Sequence, residues 1–228
     1  MEAIILAGGL GTRLKERVSH VPKPMAEVCG KPFLSFILES LSKNGFNHVI
    51  ISVGYMSDCI INFFGKKFLN LRIDYVIENS PLGTGGGIKL ALTKSENDSL
   101  FIINGDTFVE VNFKKMMSLH LQHKKPIMLG VEMENVDRYG NIYAFKDIVK
   151  KIINNNENKK KGIINAGYYL FNSDFLNDLN LKSFSFENDF LKQFIKKNEL
   201  FLYKTQGRFI DIGIPKDYDL AQLFFKNS

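Results

Sequence analysis

The sequence predicts an α/β protein in which helices cover both faces of a mostly parallel β-sheet. Three observations lead there. Short, unbroken apolar runs (Ala3 to Ala7, Val49 to Ile51, Leu100 to Ile103) have the make-up of strands buried on both faces. Segments with apolar residues at helical spacing alternate with them, as they do in parallel sheets. The length of 228 residues, 45% of them hydrophobic and 24% charged, suits one sizeable globular α/β unit.

The elements follow in order. Residues 3–7 form the first strand, which runs into a glycine-rich turn. Phe33, Ile37, Leu38 and Leu41 share one helical face and predict a helix over 33–44. A strand over 48–53, a helix over 56–64, a strand over 72–77, a helix over 85–94 and a strand over 100–103 continue the alternation. A helix near 112–123 and a strand near 127–132 complete it. After about residue 138 the rhythm changes to short strands near 141–145, 149–153 and 163–171, then a helix over 187–197 and strands near 200–204 and 208–210. Pro215 fits the first turn of a last helix reaching about Phe225. The Asn- and Lys-rich stretch 154–161 reads as a loop. No internal repeat or low-complexity linker divides the chain, so a single domain over 1–228 is expected.

Composition narrows the function. The formal net charge is +6, part of it in the run Lys159, Lys160, Lys161. A positive field gathers anionic substrates. Nucleic-acid binding would want Arg and aromatic residues interleaved on one element, and that run lies among asparagines. Cys29 and Cys59 supply neither a disulfide framework nor metal-ligand spacing. The opening apolar run is too short for a signal peptide or a membrane span, which predicts a soluble, cytoplasmic protein with no membrane partner. Oligomeric state, a homo-oligomer included, is left open.

Four motifs carry chemistry. Leu6-Ala7-Gly8-Gly9-Leu10-Gly11-Thr12-Arg13 takes a strand straight into a turn whose glycines let backbone N–H groups approach an anion, with the Arg13 guanidinium beside them. A dinucleotide fingerprint would need glycine where Leu14 stands, and no phosphate-binding Gly-Lys-Ser/Thr sequence exists. Pro22 and Pro24 stiffen the backbone around Lys23 and present it with little entropy to lose. Asn104-Gly105-Asp106 ends a strand at the edge where parallel sheets bind ligands, and Asp211 stands at a second strand end near Gly213. Two such carboxylates suit Mg²⁺, which takes few protein ligands and several phosphate oxygens. His120 and His123, three apart on an amphipathic helix, are expected on its solvated face rather than on a metal. In the fourth motif, Glu78 to Gly87, Pro81 and the glycines predict a second loop of close approach, with Gly83 and Thr84 opening a helix. The Glu78 carboxylate only accepts hydrogen bonds, which suits the adjacent N1–H and N2–H₂ donors of guanine better than uracil.

The glycine turn and Pro22-Lys23-Pro24-Met25 together resemble the opening signature of the sugar-phosphate nucleotidyltransferase family. The resemblance covers nearly the whole chain, through Pro81-Leu82-Gly83-Thr84-Gly85-Gly86-Gly87, Asn104-Gly105-Asp106-Thr107, Asn165-Ala166-Gly167-Tyr168-Tyr169, Ser185-Phe186-Glu187-Asn188-Asp189 and Asp211-Ile212-Gly213-Ile214-Pro215. It implies a Rossmann-like, three-layer α/β/α nucleotidyltransferase fold with a mixed, mostly parallel central sheet. The first half would bind nucleotide and the second half the sugar phosphate. It implies an enzyme that joins an NTP to a sugar 1-phosphate and releases pyrophosphate. Leu6, Ala7, Gly8, Gly9, Gly11 and Thr12 would surround the nucleotide, with Glu78, Pro81, Gly83 and Thr84 at its base and ribose. Arg13, Lys23 and Asp106 would be catalytic, and Mg²⁺ would sit on Asp106 and Asp211. Gly140, Asn165 and Glu187 would line the sugar pocket. GTP is the expected nucleotide and a heptose 1-phosphate the expected acceptor; the alternatives are mannose 1-phosphate with GTP and N-acetylmuramate 1-phosphate with UTP. A catalytically silent binding protein on the same fold is the alternative class, and intact Arg13, Lys23, Asp106 and Asp211 argue against it. The chain stops soon after the Asp211 motif, so no hexapeptide-repeat domain is expected. One departure stands out. Many members carry a Glu-Lys pair about ten residues before the Asn-Ala-Gly motif, where this chain has Ile153-Asn154-Asn155-Asn156; the lysines at 159–161 are the candidate replacement.

Overall fold

The computed structural model describes residues 1–9, 11, 14, 17–18, 20–134, 136, 139–153, 161–177 and 179–226. Strand β1 (Glu2–Ala7) lies at the centre of a parallel group with β4 (His48–Val53), β6 (Leu71–Ile77) and β7 (Ser99–Asn104). Ala3, Ile5 and Ala7 pack on one face of the sheet and Ile4 on the other, each at 1% exposure or less. Burial on both faces is why these strands carry apolar runs rather than an apolar–polar alternation.

Helices α1 (Phe33–Lys43), α2 (Ser57–Phe64) and α4 (Phe113–His123) bury Phe33, Ile37, Ile60, Phe113 and Met116 against the first face. α6 (Pro215–Lys226) adds Ala221 and Phe225 to the same layer. Helix α3 (Gly83–Leu92) packs Ile88 and Ala91 on the opposite face, together with Phe186, Phe190 and Leu191. The last three belong to a π-helical stretch, Phe186–Leu191, that passes into α5 (Lys192–Lys197). The sequence predicts one α-helix over 187–197; its first part is wound more loosely.

The second half extends the same sheet through β9 (Ile127–Met133), β10 (Asn141–Phe145), β11 (Ile148–Ile153), β12 (Gly162–Asn172) and β13 (Phe201–Thr205). With the short edge strand β5 (Lys67–Phe68), the order is β10-β11-β13-β9-β12-β7-β1-β4-β6-β5. The sheet is mixed, as expected, but its parallel character is concentrated in the first half. β12 runs antiparallel to both β7 and β9, while β13 is parallel to β9. Two small ribbons complete the fold. β2 (Glu27–Val28) pairs with β3 (Lys31–Pro32), and β8 (Thr107–Val109) pairs antiparallel with β14 (Phe209–Asp211).

The expectation for His120 is corrected. Its ring is 4% exposed, with Nδ1 2.7 Å from the Lys125 carbonyl and Nε2 2.8 Å from Asn172 Oδ1. It pins α4 to the end of β12. His123 stacks on Phe201 at 4.4 Å between ring centroids. Among the described residues, no helix is long and apolar enough to cross a membrane.

Candidate active site

The carboxyl ends of β1, β4, β6 and β7 open into one cleft of about 760 Å³. This is the place at which parallel sheets of this kind take ligands. β1 contributes Leu6, Ala7, Gly8, Gly9 and Gly11; β6 leads to Glu78, Pro81, Gly83 and Thr84; β7 leads to Asp106. Lys23 closes the other side. Gly54, Tyr55, Asn79, Ser80, Asn104 and Gly213 line it too, and sequence reasoning passed over them as site residues. Gly54 could have been found as the residue directly after the apolar run that became β4. Thr12 and Arg13 lie outside the described residues.

The glycines divide by what they approach. Among the described residues, a Cβ on Gly9 would meet nothing within 4 Å, so its backbone is open to the cleft. A Cβ on Gly8 would fall 2.6 Å from Glu78 Oε1, and one on Gly105 would fall 2.7 Å from the Leu6 carbonyl. These two let strand ends close on each other. The predicted ligand-approach loop at 83–87 needs the larger correction. Gly85, Gly86 and Gly87 are buried, and Cβ atoms there would strike the Phe184 ring, the Lys182 carbonyl at 2.5 Å and Glu78 Oε1 at 2.8 Å. Their closeness serves chain packing. Gly83 has φ +71°, and its missing Cβ makes room for the Phe184 carbonyl. Gly85 N–H donates to that carbonyl at 3.0 Å, and Phe184 N–H donates to the Leu82 carbonyl at 3.0 Å. Residues 82–86 and 182–186 are thereby interlocked.

Glu78 is braced within the cleft. Ser52 Oγ donates to Oε1 at 2.9 Å and the Leu82 N–H to Oε2 at 3.2 Å. An ionised carboxylate offers about four acceptor sites, so each oxygen keeps capacity for a ligand donor.

At the other side, Lys23 Nζ donates to Asp106 Oδ2 at 2.5 Å, and Thr107 Oγ1 donates to Oδ1 at 3.1 Å. The Lys23 side chain is 10% exposed and that of Asp106 34%. Burial pushes the Asp106 carboxyl up, but the Lys23 ammonium, its hydrogen bond and that of Thr107 outweigh burial and hold the group below the usual carboxylate range. The β8–β14 ribbon brings Asp211 alongside. Asp211 stands opposite Thr107, and the Ile212 N–H donates to the Asp106 carbonyl at 3.0 Å. Asp211 accepts from Tyr139 OH at 2.6 Å and from the Gly213 N–H at 2.6 Å. A carboxylate in the turn before β8 with a second at the end of β14 is a donor set of the kind a hard divalent cation takes when phosphate and water fill the remaining positions.

The sugar-pocket candidates lie on the second half, outside the residues that line the cleft itself. Asn165 sits where β12 bulges against β9, and Gly167 at φ +70° lets that bulge press on Asn104. Glu187 accepts from Thr84 Oγ1 at 3.0 Å, so the second half of the chain touches the wall of the cleft there. Gly140 is half-buried just before β10. Of the lysine run, only Lys161 is described. It pairs with Glu134 at 2.9 Å, both side chains mostly exposed, and does not turn to the cleft.

The profile of the nucleotidyl transferase family matches residues 2–228. The chain is 41% identical over 224 residues to a D-glycero-α-D-manno-heptose 1-phosphate guanylyltransferase of Aneurinibacillus thermoaerophilus, covering 97% of each chain. It is 42% identical over 219 residues to the enzyme of the same description from Campylobacter jejuni, covering 96% of this chain and 97% of that one. The crystal structure of HddC from Yersinia pseudotuberculosis complexed with GMP-PN superposes with a TM-score of 0.88 at 40% identity, over 98% of this chain and 99% of that one.

Proposed function

The chain belongs to the nucleotidyl transferase family, and on that premise we propose that it is a sugar-1-phosphate guanylyltransferase that converts GTP and D-glycero-α-D-manno-heptose 1-phosphate into GDP-heptose and pyrophosphate. The observation that carries the reading is the cleft itself. A carboxylate with spare acceptor capacity, Glu78, stands at one wall, and the Lys23–Asp106 pair stands at another, joined by the open backbone at Gly9. The near full-length likeness to two heptose 1-phosphate guanylyltransferases supports this acceptor over mannose or N-acetylmuramate 1-phosphate. A cytoplasmic enzyme supplying a nucleotide sugar for capsule or lipopolysaccharide is the corresponding cellular role.

In the proposed reaction a phosphate oxygen of the sugar phosphate attacks the α-phosphorus of GTP. The new P–O bond forms as the bond to the bridging oxygen breaks, and that electron pair leaves with pyrophosphate. The attacking phosphate is already ionised, so the step depends on alignment and charge neutralisation rather than on a general base. Lys23 supplies a cation: its ammonium rests on Asp106 and would transfer to phosphate oxygens as they arrive. Arg13 is assigned to the pyrophosphate side. The Gly9 backbone approaches the triphosphate. Glu78 reads guanine by accepting from N1–H and N2–H₂ while Ser52 and the Leu82 N–H hold it in place. Asp106 and Asp211 would hold Mg²⁺, which supplies charge neutralisation on the phosphates when bound. Gly140, Asn165 and Glu187 receive the sugar. On this reading residues 1–228 act as one domain, the first half for nucleotide and the second for acceptor.

The test is pyrophosphate release with GTP, UTP, dTTP, CTP and ATP against heptose, mannose and N-acetylmuramate 1-phosphates. GTP with the heptose phosphate should give the highest kcat/KM. Glu78→Gln should lower kcat/KM for GTP by roughly tenfold or more, the range for a hydrogen bond to a charged group. UTP outperforming GTP in the wild type would refute the guanine assignment.

A further inference from the structure

Tyr169 is a fully buried phenol that the reaction scheme does not use. Its hydroxyl accepts from Asn165 Nδ2 at 2.6 Å, beside the Glu187 carboxylate. The directions are dictated. The Gly167 N–H can only donate, so the Asn165 oxygen faces it and the phenolic oxygen of Tyr169 accepts from the amide nitrogen. Asn165 is then fixed end for end, with its amide nitrogen on Tyr169 and its oxygen accepting from the Gly167 N–H at 3.0 Å. From the other side Thr84 Oγ1 accepts from the Phe186 N–H at 2.8 Å and spends its own proton on Glu187 Oε2 at 3.0 Å. Burial, with the negative charge of nearby Glu187, raises the Tyr169 hydroxyl well above its ordinary pKa against the opposing bond from Asn165, so it stays protonated.

We infer that Tyr169 is a positioning residue for the acceptor sugar: its buried hydroxyl holds the Asn165 amide beside Glu187, which Thr84 holds in turn, and so fixes the donor and acceptor pattern both present to the sugar hydroxyls. The inference rests on the proposed role of those two residues in the sugar pocket. Thr84 takes part from the nucleotide side, holding Glu187 from below.

The experiment is steady-state kinetics on the full-length protein with GTP and D-glycero-α-D-manno-heptose 1-phosphate. Tyr169→Phe removes the hydroxyl and keeps the ring. It should raise KM for the sugar phosphate by about tenfold or more, with KM for GTP and kcat changed by less than about twofold. Thr84→Val should also raise KM for the sugar phosphate, and Thr84→Ser, which restores the hydroxyl, should bring it back. An unchanged sugar-phosphate KM in Tyr169→Phe overturns the inference, as does an equal rise in both KM values, which marks a general structural role. If Tyr169→Phe does not fold, the Thr84 pair decides: valine without effect, or serine without rescue, overturns it. Wild-type protein that transfers to none of the heptose, mannose and N-acetylmuramate phosphates defeats the functional reading, and the inference falls with it. Activity in the wild type with no change in the variants defeats the inference alone.

Discussion

Gly83→Ala and Gly9→Ala should separate glycines that serve the chain from glycines that serve the ligand. Gly83 has φ +71°, and an added Cβ would lie 2.5 Å from the Phe184 carbonyl oxygen. A non-glycine residue in the left-handed region costs about 1–2 kcal/mol. The clash is with backbone, so segment 182–186 must shift. That strains the pair of backbone hydrogen bonds joining Gly85 and Leu82 to Phe184, each contributing about 1 kcal/mol. Together the loss is about 3–4 kcal/mol, which for a chain of this size lowers Tm by roughly 6–16 °C. Gly9 carries no such φ and would meet nothing within 4 Å. Gly9→Ala should leave Tm unchanged, or raise it slightly through the unfolded chain by about 0.4–1 kcal/mol. Its methyl group stands in the cleft, so KM for GTP should rise several-fold. Thermal unfolding of both variants, with GTP kinetics, is the assay. A Gly83→Ala protein as stable as wild type would show that the interlock is not a close contact. A destabilised Gly9→Ala protein would show that the open face at Gly9 is wrongly assigned.

Three further outcomes follow from the same geometry. Lys23→Ala should keep its fold but lose about a hundredfold or more in kcat, the usual effect of removing one oriented charge at a developing anion; near wild-type turnover would remove Lys23 from the reaction. Asp106→Asn and Asp211→Asn should each raise the divalent-metal concentration needed for half-maximal rate and reduce turnover by orders of magnitude, with circular dichroism unchanged; normal metal dependence in either would unseat the metal assignment. The hydrogen bond from Arg208 is the main cause that lowers the Glu110 carboxyl below its ordinary 4.5, and the pair ties the far end of the β8–β14 ribbon. Its stabilisation is present above that pH and is lost as pH falls through the lowered folded value, so the stability gap between wild type and Glu110→Gln should shrink on acidification below 4.5; a gap that widens contradicts the sign.

Much of the fold was legible because buried parallel strands announce themselves. The runs that became β1, β4 and β7 are continuous and apolar, and the helical spacing at Phe33, Ile37, Leu38 and Leu41 marked α1 within a residue of its end. The sequence placed β14 within a residue, at 208–210, but β8 and its pairing with β14 were not legible, since a three-residue strand has too few side chains to show a period. His120 illustrates a different limit. Its partners are a carbonyl five residues on and an amide far along the chain at Asn172, and helical spacing cannot reveal them. In the site, glycine patterns told where backbones come close but not to what. Gly9 faces open space, whereas Gly85 to Gly87 face Phe184, Lys182 and Glu78. The brace on Glu78 from Ser52 and the link from Thr84 to Glu187 join residues 26 and 103 positions apart. No local rule connects such pairs.

The interlock of residues 82–86 with 182–186 also sets a schedule for the nascent chain. The parallel strands β1, β4, β6 and β7 are all made within the first 104 residues, so their core can begin to collapse early. The loop after Pro81, however, has no partner until Phe184 leaves the ribosome, and Asp106 has no neighbour at Asp211 until later still. Contacts of such long sequence separation form late, because the intervening chain must first be closed into a loop. A half-made chain would therefore hold a sheet with the loop after Pro81 unfastened, and the complete cleft would form only near the end of synthesis.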